Sequence, residues 1–377
     1  MMRFAMSELQ SDFTLTLAAS RDGRRGLMRT PLVPLSLFIG VALAIIQPQQ
    51  LRGRDVDYKA AALSPDETMV AAGGENGRVL IWNLKSGSLL HSLAIHAKVQ
   101  SLAFAGEGRT LVVGTAEQGL QIWTLEPSQW VLQQRVAENQ GVICLAVSSK
   151  RKMVAFGTGS GWIHLYNSET WQEIGQLWEA SNLTSGTAFG PDGSWLASAG
   201  CTFTVWDVRP QNLVQVNLAQ PTREDLEKLM AGAKRWVSGL VGEVKVDPYC
   251  ADVAVSSDGQ FLAGVTGVYR LGEGGKTIRA WKASTGEPVW TAKASGMTCL
   301  TYMAGDALIV TGSDDGTLRV WSAHDGTLQR AWKGHSKAVR SVVALTKGRY
   351  FVSAAEDGGV EMSEAGSGQI LMRYAAD

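Results

Sequence analysis

Five histidines, four cysteines and a few glycine-rich strings are the residues of this 377-residue chain whose types could do chemistry, and their spacing argues against most of it. His91, His96, His164, His324 and His335 form no HExxH or other short-range ligand pair. Cys144, Cys201, Cys250 and Cys299 contain no CxxC pair, which removes haem attachment and a thiolate zinc site. The string Gly272-Glu273-Gly274-Gly275-Lys276-Thr277 looks like a phosphate loop. Its required first glycine falls on Arg270, however, and a strand-like stretch follows where a helix N-terminus is needed. Gly157-Thr158-Gly159-Ser160-Gly161 reads as a turn, and Asp314-Asp315-Gly316 lacks the alternating acids and distal glutamate of a calcium loop. No serine stands in a Gly-x-Ser-x-Gly elbow. The expectation is no metal, no cofactor and no catalytic residue, with only a triad assembled from distant segments left open.

The elements that would position any site are short strands. Glycine at 42 and tryptophan at 13 are both high, the composition of many strands joined by tight turns. Lysine plus arginine equals aspartate plus glutamate, 35 each, so no electrostatic footprint for nucleic acid is present.

From residue 56 a pattern recurs about every forty residues. Each unit holds an apolar strand, a turn, a second strand ending in small residues, and a third strand ending in an aromatic. The third strands end at Trp82, Trp123, Tyr166, Trp206, Trp281 and Trp321, and Ser363 holds that position in the seventh unit. Turns such as Ser64-Pro65-Asp66 and Gly190-Pro191-Asp192-Gly193 follow first strands, and ENG, EQG, DDG and EDG precede third strands. Single sheets of this kind bury neither face, so they must stack radially.

This pattern resembles the WD-repeat family over residues 56–377. The resemblance implies an all-β fold, a seven-bladed β-propeller of four-stranded antiparallel blades, acting as a rigid protein-interaction platform. There are departures. Only Trp206-Asp207 keeps the dipeptide that names the family, and the family's His, Ser/Thr, Asp and Trp tetrad is complete in no unit. The second unit has His96, Thr115 and Trp123 with Gln118 in place of the acid; the seventh has His335, Ser353 and Asp357 without the tryptophan. Closure is expected between two whole blades. Trp130, Trp171, Trp178, Trp290 and Trp332 on outer strands are expected to pack between blades.

The period breaks once, in a gap of 75 residues between Trp206 and Trp281. Two insertions, 221–246 and 268–276, explain it. Within the first, residues 222–240 read as a helix that starts at Thr222 with Asp225 in a capping-box-like arrangement. Its apolar face comprises Leu226, Leu229, Met230, Ala233, Trp236, Val237 and Leu240. The second insertion carries Tyr269 and Arg270. Leu226, Leu229, Met230, Trp236, Tyr269 and Arg270 are the expected partner-binding residues, because connections on a rigid scaffold carry binding. Cys201 and Cys250 face the same neighbourhood, and a bridge between them depends on a Cα separation that sequence does not carry.

Upstream, residues 1–31 are basic, 32–47 form an uncharged apolar segment, and 48–55 form a linker. The segment fits either a transmembrane anchor or a signal h-region, with Ala42-Leu43-Ala44 as a small-x-small cleavage site. Arginines at 21, 24, 25 and 29 precede it and keep the N-terminus cytoplasmic, and Arg24-Arg25 resembles a twin-arginine export signal of bacterial type. The sequence thus predicts a monomeric, non-catalytic scaffold at the cell membrane or in the periplasm, with protein partners and no nucleic acid. The competing expectation is a periplasmic propeller enzyme, quinoprotein-like dehydrogenase or lactonase, because Ser284-Thr285-Gly286-Glu287-Pro288-Val289-Trp290 is similar to the quinoprotein repeat.

Overall fold

The computed structural model describes residues 56–178, 184–200, 203–209, 250–266, 275–346 and 348–375. The chain divides into two compact units, Met1–Gln49 and Gln50–Asp377, and all described residues belong to the second. They form an all-β propeller built from antiparallel four-stranded blades, each running in sequence order from an innermost to an outermost strand.

Burial follows position in the blade. Second strands such as Met69–Gly74, Thr110–Thr115, Met153–Thr158 and Tyr350–Ala355 are buried on both faces. That is why they read as unbroken runs of small and β-branched residues, not as an alternating pattern. Each is sandwiched between its own neighbours and the next sheet. Outermost strands such as Leu328–Lys333 are exposed along most of their length. The first turn of several units is held by a serine–aspartate clasp: Ser64 Oγ and Ser256 Oγ each donate to the aspartate two residues on, at 2.6 Å. Asp66 and Asp258 in turn accept the amides of Thr68 and Gln260.

One expectation needs correction. In place of seven separate four-stranded sheets, the described strands form six sheets: four of four strands, one of three and one of seven. The seven-stranded sheet arises because Pro288–Tyr302 is one continuous strand. It carries the outermost strand of the fifth unit straight into the innermost strand of the sixth, turning at Gly296, whose φ is +81°. The three-stranded sheet, Gly186–Phe189, Trp195–Ala199 and Phe203–Asp207, is the fourth unit, after which residues 210–249 lie outside those described. The expected helix over 222–240 and most of the 268–276 loop lie outside the described residues, among which the only helical element is the single turn Gly106–Gly108.

The innermost strands, one from each repeat unit, pack side by side in a closed circuit: Tyr58–Leu63, Val99–Ala105, Val142–Ser148, Gly186–Phe189, Cys250–Val255, the second half of Pro288–Tyr302, and Val339–Ala344, which returns to Tyr58–Leu63. First and last sheets share no strand among the described residues. They meet through one apolar cluster that includes Tyr58, Val70, Trp82, Val352, Val360 and Tyr374. The Trp82 indole donates to the Ala375 carbonyl and the Tyr374 hydroxyl to that of Leu84, 2.9 Å away.

Candidate functional site

The aromatic that closes each third strand is structural. Trp82, Tyr166, Trp206, Trp281 and Trp321 are buried, while Trp123 is half-buried. Trp206 Nε1 donates to Ser198 Oγ at 2.8 Å and Trp321 Nε1 to Thr311 Oγ1 at 3.0 Å, tying third strand to second. The outer-strand tryptophans serve packing too: Trp130 lies against Phe104 with centroids 6.1 Å apart, Trp332 lies at the same separation from Phe351, and Trp290 is buried.

In the second unit the incomplete tetrad residues His96, Thr115 and Trp123 do not come together in one network. His96 is exposed, at φ +58°, and Thr115 Oγ1 donates to the Gly119 carbonyl. Gln121 takes over: fully buried, it donates to the Ile95 carbonyl at 3.0 Å and accepts from Trp123 Nε1 at 3.2 Å. Gln121 belongs to a layer that the sequence reading missed. A polar residue stands two positions before the aromatic in five units, at Gln121, His164, Thr204, Arg279 and Arg319, and Glu361 stands two before Ser363 in the seventh. His164, buried on Phe156 in a stacked pair, meets Glu173 at 2.7 Å; Glu361 pairs with Arg373 at 3.0 Å. Its signal was that recurrence in phase.

In the seventh unit His335, Ser353 and Asp357 do come together. His335 Nε2 lies 2.8 Å from Ser353 Oγ, and Nδ1 lies 3.2 Å from Asp357 Oδ1. Asp357 also accepts the amides of Ser336 at 2.7 Å and Gly359 at 2.9 Å. Burial alone would raise its carboxyl, but His335 and the two amides hold it far below the usual carboxylate range. The geometry is that of a nucleophile, base and orienting acid. Yet Ser353 is 0% exposed and His335 3%, so no substrate reaches the hydroxyl. This network is a clasp for the last sheet.

What the propeller presents to solvent is a rim. In six units the innermost strand carries a register shift at its second residue, which leaves Lys59, Gln100, Ile143, Ala251, Thr298 and Arg340 without a strand partner. Each is partly exposed, and the residue before it is buried. A bulge re-aims a side chain in this way. The turns between second and third strands stand beside these residues, because the amides of Glu75, Ala116, Asp314 and Glu356 donate to Asp57, Lys98, Gly296 and Ala338. Where the first and last units meet, the rim is charged. Glu356 bridges Lys59 at 2.5 Å and Arg340 at 2.8 Å, Lys98 approaches Glu75 at 3.4 Å, and Lys337 approaches Asp57 at 3.6 Å. Burial would raise the Glu356 carboxyl, but the two cations hold it below its ordinary value.

Deeper in the wall, Asp252 accepts the Leu300 amide at 3.0 Å and its neighbour Val253 at 2.9 Å. A Cβ on Gly186 would meet its Oδ1 at 2.8 Å, so a glycine makes room for it. Burial pushes this carboxyl up to about 7 against those two amides. Burial, together with the Asp252 charge, likewise pushes the Cys299 thiol up to about 12, which makes it inert at neutral pH. Cys250 is buried; Cys201 lies outside the described residues. A cavity of about 320 Å³ between the fourth and fifth units is lined by Trp195, Asp207, Arg209, Ser194 and Ser284 among others. Among the described residues no three His, Cys, Asp or Glu side chains are grouped to hold a metal. The expected partner-binding residues Leu226, Leu229, Met230, Trp236, Tyr269 and Arg270 lie outside the described residues.

Comparison with known proteins matches residues 49–83 to the WD domain, G-beta repeat, and residues 228–376 to a family described as outer membrane protein assembly factor BamB. The chain is similar to small ribosomal subunit protein RACK1 of Brassica napus, 31% identical over 30% of this chain and 35% of that protein. It is also similar to mouse WD repeat and SOCS box-containing protein 1, 24% identical over 74% of this chain and 62% of that protein. The aligned region is thus about a third of the length of the RACK1 relatives and under two thirds of the other. A chain in the crystal structure of the mitotic checkpoint complex superposes with a TM-score of 0.63 at 22% identity, covering 93% of this chain and 98% of that one. That likeness concerns the fold.

Proposed function

We propose that this chain, a WD-repeat β-propeller, is a non-catalytic protein-interaction platform whose binding face is the rim of bulged innermost-strand residues and the turns beside them. The observation that carries the reading is the repetition of that bulge: six units each offer one partly exposed side chain at the same place, on a scaffold whose Ser353–His335–Asp357 group is sealed. The charged sector Lys59, Arg340, Glu356, Glu75 and Lys98 gives the face mixed polarity, suited to a polar peptide segment and not to an apolar ligand. The inserted segments 222–240 and 268–276 extend the same face on sequence grounds. RACK1 relatives are ribosomal subunit proteins, and the checkpoint structure is a protein complex; both support a partner-binding role.

The proposal includes location. The uncharged segment 32–47 behind four arginines, and the match to a family described as an outer membrane protein assembly factor, support a propeller tethered outside the cytoplasmic membrane. Alkaline extraction of the membrane fraction and protease shielding test this; release of the chain into the soluble fraction overturns the tether. The platform itself is tested by pull-down from that fraction with the full chain and with Lys98→Glu and Glu75→Lys, which exchange exposed charges without touching the core. Partner recovery unchanged in both variants and after deletion of 222–240 overturns the rim as binding face.

The enzyme alternative rests on the Thr285-Gly286…Trp290 phrase. In this fold Gly286 closes a turn at φ +68° and Trp290 Nε1 donates to the Ala323 carbonyl of the next unit at 2.8 Å, so the phrase serves packing here. A stoichiometric quinone absorbance in the purified protein would reverse that assignment.

A further inference from the structure

The outermost strands pair with the third strands through a bulge in six units, opposite the closing aromatic position. The residues left over are Leu90, Gln133, Ile174, Val289, Gln329 and Leu371. Bulges on edge strands discourage pairing with another chain's strand. Their chemistry is unevenly distributed around the propeller. Among the described residues the large hydrophobic side chains that are exposed are Leu89, Leu90, Val289, Leu328 and Leu371, between 39% and 50% accessible. All five lie on the outermost strands of four consecutive units: the fifth, sixth, seventh and first. None lies on the outer strands Gln129–Val136 or Glu173–Trp178 of the second and third units.

The same four strands, 288–293, 328–333, 370–374 and 89–94, contain Lys293, Arg330, Lys333 and Arg373 and no acidic residue. Lys293, Arg330, Lys333 and Arg373 are exposed. Arg373 is matched by Glu361, and Arg330 Nε donates only to the Gly366 carbonyl, so its charge is not neutralised there. The leucines cluster where each strand begins and most of the basic residues toward its end, which separates an apolar row from a basic one. Apolar side chains that enter a lipid interface beside cations that meet lipid phosphates are the two components of peripheral membrane binding.

We propose that the outer arc of the fifth, sixth, seventh and first units rests against an anionic lipid bilayer, with Leu328, Leu371, Leu89 and Leu90 in the headgroup–acyl boundary and Arg330 and Lys333 on lipid phosphates. The orientation rests on the tethered reading above in one respect: a linker over 48–55 spans at most about 30 Å, which keeps the propeller beside the bilayer. Charge complementarity favours lipid over a second copy of the chain, whose matching arc would bring like charges together.

The test uses the full chain reconstituted in vesicles of phosphatidylglycerol and phosphatidylcholine, with an environment-sensitive fluorophore on Leu90→Cys, Leu328→Cys or Leu371→Cys. Gln133→Cys, on the outer strand of the second unit outside the arc, is the control, and the unsubstituted chain is the labelling blank. Doxyl-labelled lipid should quench the three arc probes by roughly twofold or more, lost in phosphatidylcholine alone, in high salt, or with Arg330→Gln and Lys333→Gln together. Equal quenching at Gln133→Cys, or none at the arc in anionic vesicles, overturns the proposal. Loss of quenching accompanied by cross-linking between arc probes would assign the surface to a second copy. Alkaline extraction of the same vesicles reads the tether separately, and vesicles added to extracted chain still read the arc, so the two readings fail independently.

Discussion

Two partly buried carboxyls pull stability in opposite directions with pH. Asp357 is held far below the usual carboxylate range by His335 and the amides of Ser336 and Gly359. A depressed folded value means that the unfolded chain takes up protons first as the solution is acidified. Its contribution is therefore present above about pH 4 and lost as pH falls below that. Asp357→Ala should cost about 2–3 kcal/mol at neutral pH, because it strands buried His335 and the two amides. Thermal melts of parent and variant should converge in acid; a constant gap down to about pH 2 would refute the assignment. Asp252 works the other way. Its folded value near 7 exceeds the unfolded value of about 4, so between these limits the native state holds a proton that the unfolded chain releases, and stability declines as pH rises through that window. Asp252→Asn should accordingly raise stability by about 1–3 kcal/mol above pH 7 and by little near pH 4, read as Tm against pH.

At the scale of strands, the seam between first and last units has no strand pairing among the described residues and is held there by side-chain packing and side-chain hydrogen bonds to carbonyls. Trp82 packs edge-on against Tyr58 at 6.2 Å and tilted against Tyr374 at 5.9 Å, and its indole reaches the last described carbonyl, that of Ala375. Trp82→Ala should cost about 3–5 kcal/mol, whereas Trp123→Ala, half-buried and away from the seam, should cost less; denaturant melts compare them. The position of these aromatics was legible from sequence because a closing aromatic is large, buried and repeated at a fixed spacing. The register around them was not. A bulge inserts a residue without changing composition, so Lys59 and Arg340 read as ordinary members of an alternating strand, although the bulge places them on the rim. His96, Thr115 and Trp123 stand at the spacing of the family's tetrad, with Gln118 in place of its acid. At a positive φ His96 is exposed to solvent, and Gln121, which donates to Gln118 Oε1 at 3.2 Å, links the Ile95 carbonyl and the Trp123 indole in its place. The merging of two units through Pro288–Tyr302 was likewise hidden: the residues between the halves, Ala294-Ser295-Gly296, carry no strong turn signal beyond one glycine.

At the scale of the described propeller, each unit touches only its neighbours, and the junctions repeat one device. An outer-strand donor reaches a carbonyl just past the third strand of the next unit: Trp290 to Ala323, Arg330 to Gly366 and Tyr374 to Leu84. The closing junction is thus of the same kind as two internal ones, although its partners are 290 residues apart in the chain. Such a ring gains most of its cooperativity from that last contact, since an open row of units would fray from either end. Removing residues 370–377 takes away Tyr374, the Ala375 carbonyl and the outer strand that covers Met362. The loss should therefore appear in two places at once. Hydrogen exchange should accelerate in the last sheet, which loses a strand, and also in the first, across Arg78–Asn83, which loses no residue of its own. Acceleration confined to the last sheet would mean that the seam contributes little and that the units are stable as an open row. Acceleration at both, with the third unit around Met153–Thr158 still protected at intermediate denaturant, would locate the cooperative boundary at the seam that Trp82 and Tyr374 form.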